Sequence, residues 1–172
     1  MGAFATSYIP TVASQVTRSA DSASMTGTNF SSWYNNAQGS IYVESSFFST
    51  VTSVGLYAFD DGTTNNVLNS FGGGYIYANS RINGSAVFSS TSSSLALSTA
   101  YYKQGFAYNN GSYASVFSGG TPITQASGLV PPNLNRLQIG CYNNTYFNGR
   151  IKKLAYYPIA VSSANLIALT GS

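Results

Sequence analysis

The sequence predicts an all-β protein: a single-domain antiparallel β-sandwich with a short C-terminal helix. Short β-prone runs alternate with turn signals about every ten residues, which is the spacing of sandwich and barrel proteins. Hydrophobic residues make up 44% and aromatic residues 15% of the 172 residues, enough apolar surface to build a core without disulfides. Helical periodicity is almost absent outside the C-terminal end.

The N-terminal half begins with a predicted extended arm, residues 1–13, and residues 14–172 are predicted to form the sandwich domain. Pro10 favours extended backbone before it and donates nothing to a sheet. The first clear strand spans residues 39–47 and is expected to be half-buried. Its alternation places on one face Ile41, Val43, Ser45 and Phe47, and on the other Tyr42 and Glu44.

Hairpins are predicted next along the chain. Residues 54–59 run into a turn at Asp60-Asp61-Gly62, and residues 65–71 return. The dipeptide Asn83-Gly84 is the strongest two-residue hairpin signal in the chain. Two hairpins therefore follow, one joining 75–82 to 85–88 and one joining 101–108 to 112–117 through Asn109-Asn110-Gly111.

The C-terminal part is predicted to contain strands over 136–139 and 147–157 and a helix that begins at the N-cap Ser162. Strict alternation in 147–157 distributes the three bases Arg150, Lys152 and Lys153 over both faces of the strand. Bases split in this way indicate a solvated edge strand rather than a binding patch.

The charge pattern excludes several classes of function. Only 6% of the residues are charged, histidine is absent, and the net charge is +3. Seven scattered bases are too few for the phosphate neutralisation that nucleic-acid binding needs. No segment resembles a signal peptide or a membrane span, so we expect synthesis in a cytoplasm and no membrane insertion.

The acidic residues also argue against catalysis, and we predict that the protein is not an enzyme and has no catalytic residues. Glycosidases need two carboxyl groups on either side of the scissile bond, and Glu44 has no second acid near it in the sequence. Without histidine, Ser-His-Asp and Cys-His nucleophiles are excluded. No cofactor is expected, except that Asp60 and Asp61, with amide and carbonyl oxygens, form a candidate calcium site; an ordinary acidic turn is the alternative.

Five segments, in order, carry a resemblance to a known family: FATSYIPT, VTRSAD, GSIYVE, LNRLQIG and FNGRIKKLAYYPIAVSSANLIALT. They resemble the concanavalin A-like, laminin-G-like jelly-roll domains of bacteriophage tail-fibre and other virion structural proteins. The resemblance implies two antiparallel sheets with one concave face, where relatives hold sugars, peptides or a calcium ion. It spans most of the chain and is most specific in its last segment.

Three clusters of aromatic and amide residues are the candidate ligand sites, because sugars pack their C–H faces on rings and pair their hydroxyls with amides. The candidate glycan-binding residues are Trp33, Tyr34, Tyr108, Asn109, Tyr142, Asn143, Asn144 and Tyr146. The cluster around Tyr142 is the densest. Three alternatives remain open: Trp33 belongs to the core, the Tyr and Asn residues only stabilise turns, or the Tyr-rich surfaces contact other subunits.

These observations favour a non-enzymatic virion structural or adhesion protein, such as a tail-fibre, head-fibre or capsid-decoration component. Its expected partners are other virion proteins, further copies of itself and a host-surface glycan, and its expected location is the virion. The alternatives are a carbohydrate-binding module of a secreted polysaccharide-degrading enzyme and a fibre or capsid subunit without a sugar site.

Overall fold

A computed structural model of the protein describes residues 23–48, 54–72, 74–92 and 100–172. The predicted arm, residues 1–13, lies outside these ranges, so the division into an arm and a domain stays a prediction. Thirteen strands and two helices occur in the described part of the chain: β1 Ala23–Thr26, α1 Thr28–Ser31, β2 Gln38–Phe47, β3 Val54–Asp60, β4 Val67–Gly72, β5 Ile76–Ile82, β6 Ser85–Thr91, β7 Tyr102–Asn109, β8 Ser112–Phe117, β9 Ile123–Gln125, β10 Arg136–Ile139, β11 Cys141–Tyr142, β12 Thr145–Tyr146, β13 Gly149–Tyr157 and α2 Ser163–Gly171.

The strands form two main antiparallel sheets, and the predicted all-β sandwich is confirmed. One sheet has the order β1-β10-β3-β4-β5-β6, the other has the order β13-β2-β7-β8-β9, and β11 and β12 form a separate small hairpin. Among the described residues no helix is long and apolar enough to cross a bilayer.

The core lies between the two sheets and is rich in aromatic rings. Phe88 of the six-stranded sheet stacks on Phe106 of the five-stranded sheet, with ring centroids 5.6 Å apart. The hydroxyls of Ser80 and Tyr113 form a 3.0 Å hydrogen bond between the same two sheets. Rings and buried hydroxyls together fix the distance between the layers.

The two hairpins predicted from Asn-Gly turns are confirmed. Asn83 and Gly84 have φ of 50° and 80°, and Asn110 and Gly111 have φ of 46° and 89°. These left-handed angles match the twist of the flanking strands, and asparagine and glycine adopt them at little cost. The turn after β3 differs from the prediction, because Asp60 is the last residue of the strand and the connection to β4 runs over residues 61–66.

The prediction that β2 is half-buried is wrong. Nine of its ten residues are buried. Its outward residues Tyr42 and Glu44 are covered by lysines of the neighbouring strand: Lys153 Nζ lies 5.5 Å from the Tyr42 ring centroid, and Lys152 Nζ donates to Glu44 Oε1 at 2.8 Å. Long lysine stems cover polar and aromatic surface while their ammonium groups stay in water.

The strict alternation predicted for β13 is also wrong, because the strand contains a β-bulge. Ile151 pairs with Ser45 and Lys153 pairs with Glu44, so Lys152 is the extra residue between them. A bulge sets two residues opposite one, and both lysines therefore lie on the outward side. Ile151 and Leu154, on either side of the bulge, still pack against the core.

The C-terminal helix is confirmed and covers part of the outer face of the five-stranded sheet. The Ser162 hydroxyl caps α2 by accepting a hydrogen bond from the Asn165 amide at 3.3 Å. Leu166 packs on the sheet at Gly105, where a Cβ atom would lie 2.9 Å from the leucine Cδ2. The helix therefore lies on the layer opposite to the outer face of the six-stranded sheet.

Candidate functional site

The outer face of the six-stranded sheet carries a row of amides and rings on two neighbouring strands. Asn69 of β4 pairs with Asn79 of β5, and Phe71 pairs with Tyr77. The Phe71 and Tyr77 rings stack at 4.7 Å with an interplanar angle of 16°. Alternation places Arg81, two residues beyond Asn79, on the same face.

The β11–β12 hairpin covers one end of this row. It is attached to β3 by the Gly140 amide, which donates to the Leu56 carbonyl at 2.9 Å. Gly55 allows the close approach, because a Cβ atom there would lie 2.5 Å from the Tyr142 nitrogen. Between hairpin and sheet lies a cavity of about 160 Å³, lined by Asn69, Phe71, Asn79, Arg81, Tyr142, Asn143 and Thr145.

One wall of this cavity contains a polar atom without a partner. Asn69 is 1% exposed, and within the described structure its Oδ1 atom has no hydrogen-bond donor. Buried polar atoms in native proteins are nearly always hydrogen-bonded to protein, water or ligand. Asn69, Asn79 and Asn143 together give the cavity an amide-rich lining, which suits the hydroxyl and amide groups of a bound molecule.

The electrostatics of the cavity are simple. Arg81 is the only charged side chain among the lining residues. Burial raises the pKa of the Tyr142 phenol; the positive charge of Arg81 opposes that rise, and the negative charges of Asp60 and Asp61 add to it. Tyr142 is therefore a neutral phenol at physiological pH, and the cavity combines neutral polar groups with one positive charge.

Only some of the glycan-binding residues predicted from the sequence line this cavity. Tyr142 and Asn143 line it, whereas Asn144 and Tyr146 are exposed residues of the same hairpin that do not line it. The sequence did not predict the strand residues Asn69, Phe71, Asn79 and Arg81, although their alternation with the inward-facing residues Leu68, Ala78 and Ser80 is a signal that could have found them.

Tyr108 is not a surface ligand residue, which corrects its place among the candidates. It lies in β7, is 1% exposed, and donates a hydrogen bond to the Asn35 carbonyl at 2.6 Å. Its hydroxyl also lies 3.1 Å from that of Tyr156. The next residue, Asn109, is exposed at the end of β7, outside the cavity under the hairpin.

Trp33 and Tyr34 pack against the core instead of joining the other candidates. Both belong to an aromatic cluster in which Phe30 lies 5.1 Å from Trp33 and 4.6 Å from Tyr34, between ring centroids. Burial raises the pKa of the Tyr34 phenol, so it remains protonated. The interpretation of Trp33 as a core residue agrees with this placement.

Asp60 does not fit the predicted calcium site. Its side chain is fully buried, and both carboxylate oxygens accept hydrogen bonds: Oδ1 from Arg136 Nε and the Gly62 amide, and Oδ2 from Gln138 Nε2 at 2.6 Å. A guanidinium group in contact with the carboxylate repels a second cation.

Asp61 is also occupied by protein donors. Its oxygens accept hydrogen bonds from Thr63 and from Asn66, the latter at 2.8 Å. The structure therefore favours the alternative interpretation of Asp60 and Asp61 as residues that stabilise a turn.

Solved structures of other proteins share this architecture. The CBM40 domain of the Ruminococcus gnavus IT-sialidase, solved bound to α2,3-sialyllactose, matches with a TM-score of 0.65 and 16% identity over 80% of this chain and 84% of its own. The chain has a concanavalin A-like jelly-roll fold. A heptameric SAP-like pentraxin from Limulus polyphemus matches with a TM-score of 0.59 and 12% identity, covering 79% of this chain and 70% of its own.

Domains LG4–5 of the mouse laminin α1 chain also match, with a TM-score of 0.61 and 12% identity over 80% of this chain and 38% of the laminin chain. The concanavalin A-like and laminin-G-like resemblance seen in the sequence is thereby confirmed for the fold. No family profile and no curated protein sequence matches the chain. The virion setting, the location and the virion partners therefore stay predictions.

Proposed function

We propose that this protein is a non-catalytic glycan-binding domain whose binding site is the cavity between the β11–β12 hairpin and strands β4 and β5. The observation that carries the proposal is the lining of this cavity, which brings together the amides of Asn69, Asn79 and Asn143, the rings of Phe71 and Tyr142, and the guanidinium group of Arg81. Sugars need this combination of hydrogen-bonding groups and an apolar wall.

The size of the site suits the end of a glycan chain. A cavity of about 160 Å³ is smaller than the roughly 300–1,000 Å³ clefts that enclose drug-sized ligands. A terminal sugar would insert one edge into the cavity, and the following sugars would lie over Tyr77 and Tyr75, the latter 41% exposed. Such sites bind weakly one by one and gain affinity through multivalency.

Arg81 gives the site a preference for acidic sugars. A guanidinium group pairs with a carboxylate through two parallel hydrogen bonds, which a neutral sugar cannot provide. The architecturally similar CBM40 domain was solved bound to sialyllactose, a glycan that carries a carboxylate. We therefore propose that the ligands are glycans with a terminal acidic sugar.

Two settings fit such a domain. Similarity of architecture to a sialidase CBM40 domain favours a carbohydrate-binding module attached to a secreted glycan-degrading protein. The second candidate, a phage adhesin that recognises a host-surface glycan and assembles as a homo-oligomer in the virion, is supported by the resemblance of the closing segment 147–170 to virion proteins. Both settings use the same site.

Calorimetric titration of wild-type protein with 3′-sialyllactose and with lactose tests the proposal. We expect Arg81→Gln and Asn69→Ala to lower sialyllactose affinity at least about tenfold, since each removes a direct contact. Asn109→Ala, an exposed amide outside the cavity, is the matched control and should bind as wild type does. Equal affinity for the two sugars would overturn the acidic preference, and a multimerised protein that binds no glycan on an array would overturn the function.

A further inference from the structure

The outer face of the five-stranded sheet carries a second charged feature, which the glycan site does not use. We propose that it binds an anionic polysaccharide, with sulfate or carboxylate groups along its chain. The cationic patch consists of Lys103, Arg150, Lys152 and Lys153, which surround the carboxylate of Glu44. This site lies on the opposite layer of the sandwich from the Asn69 cavity, and the inference does not depend on the glycan-binding proposal.

The strand pairing assembles the patch. Glu44 of β2 pairs with Lys103 on one side and with Lys153 on the other. The bulge adds Lys152 on the same face, where its ammonium group donates to Glu44 Oε1 at 2.8 Å. Arg150 pairs with Ser46, two residues along β2 from Glu44, and so also faces outward.

The patch concentrates the net charge of the described chain. Its four cations and one carboxylate leave three positive charges, whereas the other described ionic side chains, Arg81, Arg136, Asp60 and Asp61, cancel one another. The three lysines act on Glu44 together: the hydrogen bond from Lys152, the largest effect, and the positive charges of Lys103 and Lys153 hold its pKa below the usual range. Glu44 therefore remains ionised and orders the lysines around it.

Aromatic rings lie directly beneath the cations. The Arg150 guanidinium carbon is 5.1 Å from the Phe48 ring centroid, and Lys152 Nζ is 5.2 Å from that of Tyr101. Phe48 is 48% and Tyr101 38% exposed. Each ring carries a cation on one face, so a sugar ring that contacts the exposed remainder of the aromatic ring brings its charged substituent next to an ammonium or guanidinium group.

The spacing of the cations favours a polysaccharide over nucleic acid. Lys103 and Lys153 stand two strands apart, or roughly 10 Å. Duplex DNA carries one charge per roughly 1.7 Å of its axis, so a patch this narrow with three net charges would neutralise only a small part of it. A glycan chain with widely spaced anions matches the patch better.

Binding to hyaluronan, which carries a carboxylate on every second sugar, with uncharged dextran as the control polymer, tests the inference at about 50 mM salt. We expect binding to hyaluronan alone. Lys153→Gln should weaken it about fivefold, the effect of about 1 kcal/mol that one basic residue contributes near a polyanionic surface. Glu44→Gln should strengthen it several-fold, because this variant removes the negative charge from the patch.

A reciprocal measurement separates this site from the glycan site. Lys153→Gln should leave 3′-sialyllactose binding unchanged, whereas Arg81→Gln, which removes the same charge from the other layer, should change hyaluronan binding less than twofold. If Lys153→Gln and Arg81→Gln lowered the affinity for the anionic polysaccharide equally, the binding would be a non-specific charge effect and the inference would be wrong. The inference would also be overturned if wild-type protein failed to bind hyaluronan, or bound duplex DNA or phosphatidylserine vesicles more tightly.

Discussion

Replacing Gly55 by alanine tests the site without altering any residue that lines it. The new Cβ atom would lie 2.5 Å from the Tyr142 nitrogen, 2.6 Å from the Tyr142 Cβ and 2.8 Å from the Cys141 carbonyl carbon. Comfortable contacts between such atoms are about 3.5–4.0 Å, so the hairpin must move by about 1 Å. All three atoms belong to the backbone or are attached directly to it, and rotation of a side chain cannot relieve the clash.

The displacement has two expected consequences. Unfolding free energy should fall by about 1–3 kcal/mol, the usual cost of inserting a methyl group into a packed site. Affinity for 3′-sialyllactose should fall about tenfold or more, because Tyr142 and Asn143 move away from Asn69 and Arg81. Urea denaturation followed by the fluorescence of Trp33, the single tryptophan, measures the first effect, and calorimetry measures the second.

Gly62→Ala is the matched control. Gly62 has φ of +93°. Apart from its two chain neighbours, no residue in the described part of the chain has an atom within 4 Å of the position that a Cβ atom would take, so alanine there brings left-handed strain of about 1–2 kcal/mol without a clash. It should lose stability and keep its glycan affinity. If Gly55→Ala retained wild-type affinity, or if Gly62→Ala lost as much, the hairpin would not form the site and the reasoning would fail.

Two further predictions concern stability. Arg136→Met should lower the unfolding free energy by about 3–5 kcal/mol, since it leaves the fully buried Asp60 carboxylate without its counter-charge; urea midpoints measure this, and a loss below about 1 kcal/mol would contradict it. Burial alone would raise the pKa of Asp61, but hydrogen bonds from Thr63 and Asn66 lower it below 3.8. The ionised Asp61 side chain therefore contributes fully to the unfolding free energy above pH 3.8, and this contribution is lost as the pH falls through the lowered folded-state pKa. We expect the difference in unfolding free energy between wild type and Asp61→Asn to shrink in acid. A constant difference in denaturation midpoints across that range would refute this assignment.

The fold could be predicted because its main signals are local. Asn83-Gly84 predicts a hairpin by itself, since only a few residue types adopt two successive left-handed angles. The N-cap Ser162 likewise begins a helix through a hydrogen bond to a residue three positions later. Both signals act within one turn, and both were confirmed.

The site could be predicted only in part because it depends on pairings distant in sequence. Tyr142 was a candidate, but its neighbours Asn69 and Asn79 become a site only when β4 lies beside β5 and the hairpin folds over both. Asp60 was predicted in an exposed turn, because nothing near it in sequence indicates Arg136, which lies 76 residues away. Burial of Tyr108 follows in the same way from contacts with Asn35 and Tyr156.

The bulge in β13 has a consequence for how this surface tolerates changes in chain length. An insertion or deletion within a strand normally turns every following side chain to the other face of its sheet. Because Lys152 is the unpaired extra residue, removing it would join Ile151 directly to Lys153 and restore plain alternation, with Leu154 still facing inward. A deletion of one residue at Lys152 would therefore shorten the strand without changing which of its side chains face the core.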